Sequence, residues 1–268
     1  MLLQYSSDIH CEFKDITQIP KLFKNINADV LILSGDICTV NQPVDFEKLI
    51  ALLSYYSQKY KYIIMVSGNH EYYYTGSTPT KDICMDAVNR KLKALSKTFP
   101  NFIYLNCDKV TLSINKKSYT FIGATLWTKV NIKDRPIVET QMNDYDCIFM
   151  CKDNVAVKFT VADMQRLHSR HVLFIKKTVE SLNGIKTPCI LLTHHKPIGD
   201  TLELDRKVLT QAYESDITNI IVNPVRLAIH GHTHQHYDKT INGIRYVSNP
   251  VGYPNQHTKY QNDLGIEL

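Results

Sequence analysis

At 268 residues, 44% apolar and 21% charged, the chain has the size and composition of a globular protein with a large buried core, not of a disordered or fibrous one. Its net charge of +5 is mild, and its basic residues (Lys21, Lys24, Lys91, Lys93, Lys116, Lys117, Lys176, Lys177) are scattered, so nucleic acid is not indicated as a partner. No apolar run approaches the ~20 residues that cross a bilayer, and the first strand starts too close to Met1 to leave room for a signal peptide.

Leu2-Leu3 opens a first strand that leads into Ser7-Asp8-Ile9-His10. Val30-Leu31-Ile32-Leu33 leads in the same way into Ser34-Gly35-Asp36. Pro43 and Asp45 then start a helix over 43–58, with Phe46, Leu49, Ile50, Leu53 and Tyr56 at helical spacing. The next run, Tyr62-Ile63-Ile64-Met65-Val66, ends at Gly68-Asn69-His70-Glu71, and a second helix is predicted over 80–98. This alternation is that of βαβ units. Closely spaced strands follow at 102–105, 110–114 and 119–122, the last two forming a hairpin about Asn115-Lys116-Lys117-Ser118. Residues 128–160 are polar, contain Pro136 and hold no sustained period; they are expected to form a cap or loop insertion.

A helix over 161–181 closes at Asn183-Gly184, and the strand at 188–193 leads into Thr193-His194-His195. A helix near 205–220 is expected next, then strands at 225–230, 235–241 and 244–247. The first of these three precedes Gly231-His232-Thr233-His234, and Asn242-Gly243 joins the other two as a type I′ turn. No repeat or linker interrupts the chain, so one domain spanning 1–268 is expected. Seven cysteines at irregular spacing, without a CxxC pair, argue against disulfides or a zinc ribbon and for a cytoplasmic protein with reduced thiols.

Five clusters thus stand where strands run into loops, the place at which α/β folds assemble sites from distant segments. Asp8 and His10 alternate by two, as do His232 and His234, so on an extended strand end each pair points one way. Gly35 permits a tight turn that exposes the Asp36 carboxylate. With Asn69 and His194 the inventory suits two divalent transition-metal ions about 3.5–4 Å apart, sharing Asp36 and a bridging water. Singly each cluster is weak; in this order, each after a strand, they reinforce one another.

The series DxH, GD, GNH[DE], a lone His after a strand and then GHTH resembles the calcineurin-like metallophosphoesterases from residue 8 to 253. Leu126-Trp127, Met142-Asn143-Asp144-Tyr145 and Gly252-Tyr253 are similar to elements of a branch of small phosphohydrolases in that superfamily. The resemblance implies a four-layer α/β/β/α sandwich of two mixed sheets flanked by helices. It implies Asp8, His10, Asp36 and His234 on one metal, and Asp36, Asn69, His194 and His232 on the other; the ligand set suits manganese, the expected metal, and also iron or zinc. It makes His70 the general acid, with Glu71 positioned to orient it. Because Gly35-Asp36 runs on into Ile37-Cys38, without the Asp-Arg of the protein Ser/Thr phosphatases, phosphoprotein substrates are disfavoured.

The expected activity is hydrolysis of a phosphate ester, with a diester slightly ahead of a monoester; a nuclease and a metal-bearing scaffold are the alternatives. His195 and Asn143 are candidate substrate contacts, although a backbone-bonded His195 and a turn-capping Asn143 are the plainer readings. Asp144 shares that loop. His168, His171, His230 and His236 are expected to be structural, and Cys11 and Cys38 to be core thiols.

Overall fold

A computed structural model describes residues 1–200 and 207–268. Its first half comprises β1 (Leu2–Ser6), β2 (Val30–Ser34), α1 (Pro43–Tyr56), β3 (Tyr62–Val66), α2 (Met85–Thr98), β4 (Phe102–Tyr104), β5 (Asp108–Ile114) and β6 (Lys117–Ala124). Then come α3 (Arg135–Gln141), α4 (Asp144–Cys147), β7 (Phe149–Lys152), β8 (Val155–Lys158), α5 (Val161–Ser181) and β9 (Cys189–Thr193). The chain continues through α6 (Lys207–Thr210), β10 (Val225–Ile229), β11 (Tyr237–Ile241), β12 (Ile244–Ser248) and β13 (Gly265–Glu267).

Two sheets form. One has the order β13-β1-β2-β3-β4, parallel except for β13; the other has the order β11-β12-β10-β9-β6-β5, with β12, β10, β9 and β6 parallel. Because side chains alternate along a strand, each sheet presents two apolar faces. Leu3, Tyr5, Val30, Ile32, Ile64 and Val66 face Phe121, Ile190, Leu192, Leu227 and Ile229 and fill the space between the sheets. The other face of the first sheet, with Leu31, Leu33, Ile63 and Met65, packs on Leu49, Leu52, Leu53 and Tyr56 of α1 and on Val88, Leu92 and Leu95 of α2. Ile122, Leu191, Ala228 and Tyr246 of the second sheet pack on Ile175 and Val179 of α5. Helix, sheet, sheet and helix make four layers, as the resemblance implies.

The elements depart from their sequence-based bounds in several places: α2 begins five residues later than expected, β11 two residues later, and β13 was not foreseen. The hairpin of β5 and β6 is longer than expected, because Asn115 and Lys116 alone make the turn, both with positive φ. The helix near 205–220 falls partly outside the described residues; from Lys207 it is one turn long. Beyond it the backbone pairs sideways instead, Ser215 N donating to Lys196 O and Ile217 N to Pro197 O. The 128–160 segment is more ordered than its composition suggests, containing α3, α4 and the hairpin of β7 and β8. Its elements are too short to show a period. Val138, Tyr145, Ile148 and Phe159 share a core with Trp127 and the start of α5. All seven cysteines are free, Cys11 and Cys38 wholly buried. Among the described residues no helix is long and apolar enough to cross a membrane.

Candidate metal centre

The parallel strands β1, β2 and β3 end at Ser6, Ser34 and Val66, and β9 and β10 at Thr193 and Ile229. The five clusters therefore divide three to two between the sheets, and the site straddles both. A bridge between Ser7 and Pro250, with Gly231 N donating to His194 O and His232 N to Asp8 Oδ1 (3.0 Å), ties the strand ends together.

The local backbone differs from an extended strand end. Asp8, His10, Asp36, His232 and His234 all have φ between 51 and 67°. A left-handed non-glycine residue costs roughly 1–2 kcal/mol, so five of them at one place mark a site whose geometry is imposed by its surroundings. Alternation by two therefore gives the correct pairing of Asp8 with His10 for the wrong reason; successive left-handed turns bring them together. Gly68 is required because a Cβ there would lie 2.1 Å from Asp36 Oδ1.

Hydrogen bonds fix the imidazole tautomers. His10 Nδ1 lies 3.0 Å from Glu12 Oε1, His234 Nδ1 lies 2.6 Å from Gln256 Oε1, and His194 Nδ1 lies 2.9 Å from Ser34 O. Each partner is an acceptor, so each ring keeps an N–H on Nδ1 and turns Nε2 towards the site. The Nε2 atoms of His10 and His234 face one another at 3.2 Å, with Asp8 Oδ1 3.3 Å from the latter. His194 Nε2 faces Asn69 Oδ1 (3.1 Å), His232 Nδ1 (3.1 Å) and Asp36 Oδ2 (3.4 Å). Imidazole nitrogens, carboxylates and an amide oxygen that converge at these distances in a buried site form a donor set that fits metal ions. Asp8, His10 and His234 form one candidate group, and Asp36, His194 and His232 another; His10, Glu12 and His70 form a third that shares His10 with the first.

Burial opposes ionisation of Asp36, but His194 and His70 outweigh it and hold the carboxyl well below its usual range. Burial likewise opposes protonation of His194, yet Asp36 raises it to about 9, whereas burial and His194 together push His232 down to about 3.

His70 stands beside the first two groups. Its Nδ1 lies 2.9 Å from the same Glu12 Oε1 that holds His10, and its Nε2 lies 3.1 Å from the Tyr253 hydroxyl. Burial is overcome by Asp36 and Glu12, which raise its pKa to about 9. Glu71 does not orient it. That carboxylate instead accepts from the backbone N–H groups of Asp36, Ile37, Cys38 and Gly68, which fixes the turn carrying Asp36.

The profile of the calcineurin-like phosphoesterases matches residues 6–236. The chain belongs to that family. It is a metal-dependent phosphoesterase by descent, and its candidate metal groups are intact. An uncharacterised protein of Acanthamoeba polyphaga mimivirus is 29% identical over 284 residues, covering 100% of this chain and 96% of its own. Among solved structures, phosphopantetheinyl hydrolase (PptH) from Mycobacterium tuberculosis superposes with a TM-score of 0.71 at 16% identity, over 94% of this chain and 89% of that one. The Thermus thermophilus protein TT1561 gives 0.54 at 12% identity, over 93% and 88%. These likenesses show the shared fold.

A cavity of about 300 Å³ opens over the metal-ligand groups; Asp36, Asn69, His70, Asn143, His232 and His234 line it. Tyr73, Tyr213 and Tyr253 complete the wall with the amides of Gln141, Gln235 and Gln256. His195 lies behind this wall, wholly buried, its Nδ1 3.2 Å from Thr125 O and its ring 4.2 Å from that of His232. Its backbone bond fits the plainer expectation better than substrate contact. His168 and His171 are packing residues. The Nδ1 of His168 donates to Leu126 O (3.1 Å), and His171 Nδ1 accepts from Leu126 N (3.1 Å). Glu12 was not singled out by sequence, although it continues the every-second-residue series of Asp8 and His10.

Proposed function

We propose that this protein hydrolyses a phosphodiester with two divalent cations, one held by Asp8, His10 and His234, the other by Asn69, His194 and His232, with Asp36 shared. The observation that carries this reading is the convergence of the Nε2 atoms of His10 and His234 on Asp8 Oδ1, with each Nδ1 held by an acceptor, a donor set that a cation fits. When bound, the cations supply Lewis acidity that brings a water's pKa near neutrality and offset phosphoryl charge. Manganese, iron and zinc all suit these donors.

The side chains divide the remaining work. His70 Nε2 opens on the cavity, where it holds a proton for the leaving oxygen, while Glu12 keeps Nδ1 engaged. The Tyr253 hydroxyl, 3.1 Å from Nε2, stands on the same side and lines the cavity with it. Asn143 and the amides of Gln141 and Gln256 offer neutral hydrogen bonds to the ester groups. A diester carries one negative charge, and among the described residues the wall bears no Lys or Arg to balance a second, which favours a diester over a monoester.

Metal-free protein resupplied with Mn²⁺ should hydrolyse bis-p-nitrophenyl phosphate faster than p-nitrophenyl phosphate, and Asp36→Asn should reduce both to background. Stoichiometric uptake of Mn²⁺, Zn²⁺ or Fe²⁺ with no turnover of either ester would argue for a metal-bearing scaffold instead.

A further inference from the structure

We propose that Asp144, at the start of α4, is the positioning residue that holds Asn69 oxygen-first towards the Asp36, His194 and His232 group, which makes the 128–160 segment part of the metal-binding apparatus. The inference rests on Asn69 being a metal ligand. Asn69 Nδ2 donates to Asp144 Oδ1 at 2.8 Å and to the Tyr73 hydroxyl at 3.2 Å, and that hydroxyl donates to the same Oδ1 at 2.6 Å. The network has a single sense. Oδ1 accepts twice, so both amide protons are spent on one side, and Asn69 Oδ1 is turned towards His194 Nε2 at 3.1 Å.

Rotating the amide by half a turn would set its oxygen against Asp144 Oδ1, acceptor against acceptor. Asn69 and Asp144 are 4% and 2% exposed, so water is poorly placed to relieve the clash. Without Asp144 the Nδ2 protons lose their main acceptor, and nothing on that side holds the amide with its oxygen where a cation needs it. Asp144 itself is held firmly. Tyr145 stacks on Phe159 at 5.9 Å, and Tyr74 N donates to Cys147 O at 2.8 Å, linking α4 to the loop that carries Asn69 and Tyr73.

The test is Mn²⁺ titration of metal-free protein, with bound ions read by electron paramagnetic resonance and folding checked by thermal melting. Wild type should take up two ions. Asp144→Leu, similar in volume but unable to accept, should weaken one of them by roughly 10–100-fold and leave the other unchanged. Asp144→Asn keeps an acceptor oxygen and should restore binding to within a few-fold of wild type. A folded Asp144→Leu protein binding both ions like wild type would overturn the proposal. If that variant does not fold, Tyr73→Phe decides, because it removes one acceptor of Nδ2. A loss of about 5-fold at one ion supports the proposal, and unchanged affinity at both overturns it. A wild type that takes up only one ion would instead overturn the two-ion reading, and the Asp144 assignment with it.

Discussion

Glu12 joins two histidines that the proposed chemistry keeps apart. A single carboxylate oxygen accepts from Nδ1 of His10, a candidate ligand, and of His70, a candidate acid, so the two rings are oriented as a unit. Burial raises its pKa less than the two histidines lower it, and the net value falls to about 2, leaving the carboxylate ionised at neutral pH. If His70 donates the proton to the leaving oxygen, His70→Ala should retain metal and lose about 10²–10⁴-fold in kcat on alkyl esters, and much less on p-nitrophenyl esters, whose leaving group needs no proton. Loss of bound Mn²⁺ in that variant would make His70 a ligand instead. The contrast between Glu12 and Glu71 shows what a sequence conveys at this scale. Asp8, Asp36, Asn69, His70, His194, His232 and His234 are legible because each follows an apolar strand. Which carboxylate reaches His70 is not, because it depends on the left-handed backbone at Asp8 and His10, a conformation that Asp and His adopt more often than most residues but still only in a minority of cases.

At the scale of elements, α5 was legible to the residue because it is 21 residues long and is followed by the stop signal Asn183-Gly184. The short α3 and α4 were not, since four to seven residues do not establish a period. The function of α5 beyond packing was equally hidden. His168 and His171 grip Leu126 and Trp127, both left-handed at φ 75 and 53°, and so aim Trp127 at His195 and Phe159. Burial first, then Arg170 and His168, lower the pKa of His171 to about 3. A folded value below the unfolded ~6.5 means that both states are neutral above that pH and stability is complete there. Below it the unfolded chain takes up a proton that the folded one refuses. Stability should then fall by about 1.4 kcal/mol per pH unit from pH ~6.5 towards about 3. His171→Gln keeps an acceptor for Leu126 N and removes the titration. Urea unfolding of metal-free protein at pH 6.5 and 5.5 should therefore show wild type losing on the order of 1 kcal/mol more than the variant. Equal losses would mean that His171 is already open to protons in the folded state.

For the whole molecule, the decisive fact is that neither sheet holds the centre alone. Asp8, Asp36 and Asn69 come from strand ends of the first sheet and His194, His232 and His234 from the second, so ions bound between them act as a clasp across the apolar layer. That layer is the larger stabilising term. Phe121, wholly buried within it, should cost about 3–5 kcal/mol on truncation to Ala, lowering Tm by on the order of 10 °C. Metal adds to it by mass action. Each ion at a hundred times its Kd contributes about 2.7 kcal/mol, provided that it binds only the folded state, and the unfolded chain scatters these donors over more than two hundred residues. Because the clasp spans both sheets, Mn²⁺ should raise one cooperative melting transition, in wild type and in Phe121→Ala alike, and chelation should reverse the shift. Two transitions of which Mn²⁺ moves only one would mean that the donors of a single sheet suffice to hold it, and that the sheets fold as separate units.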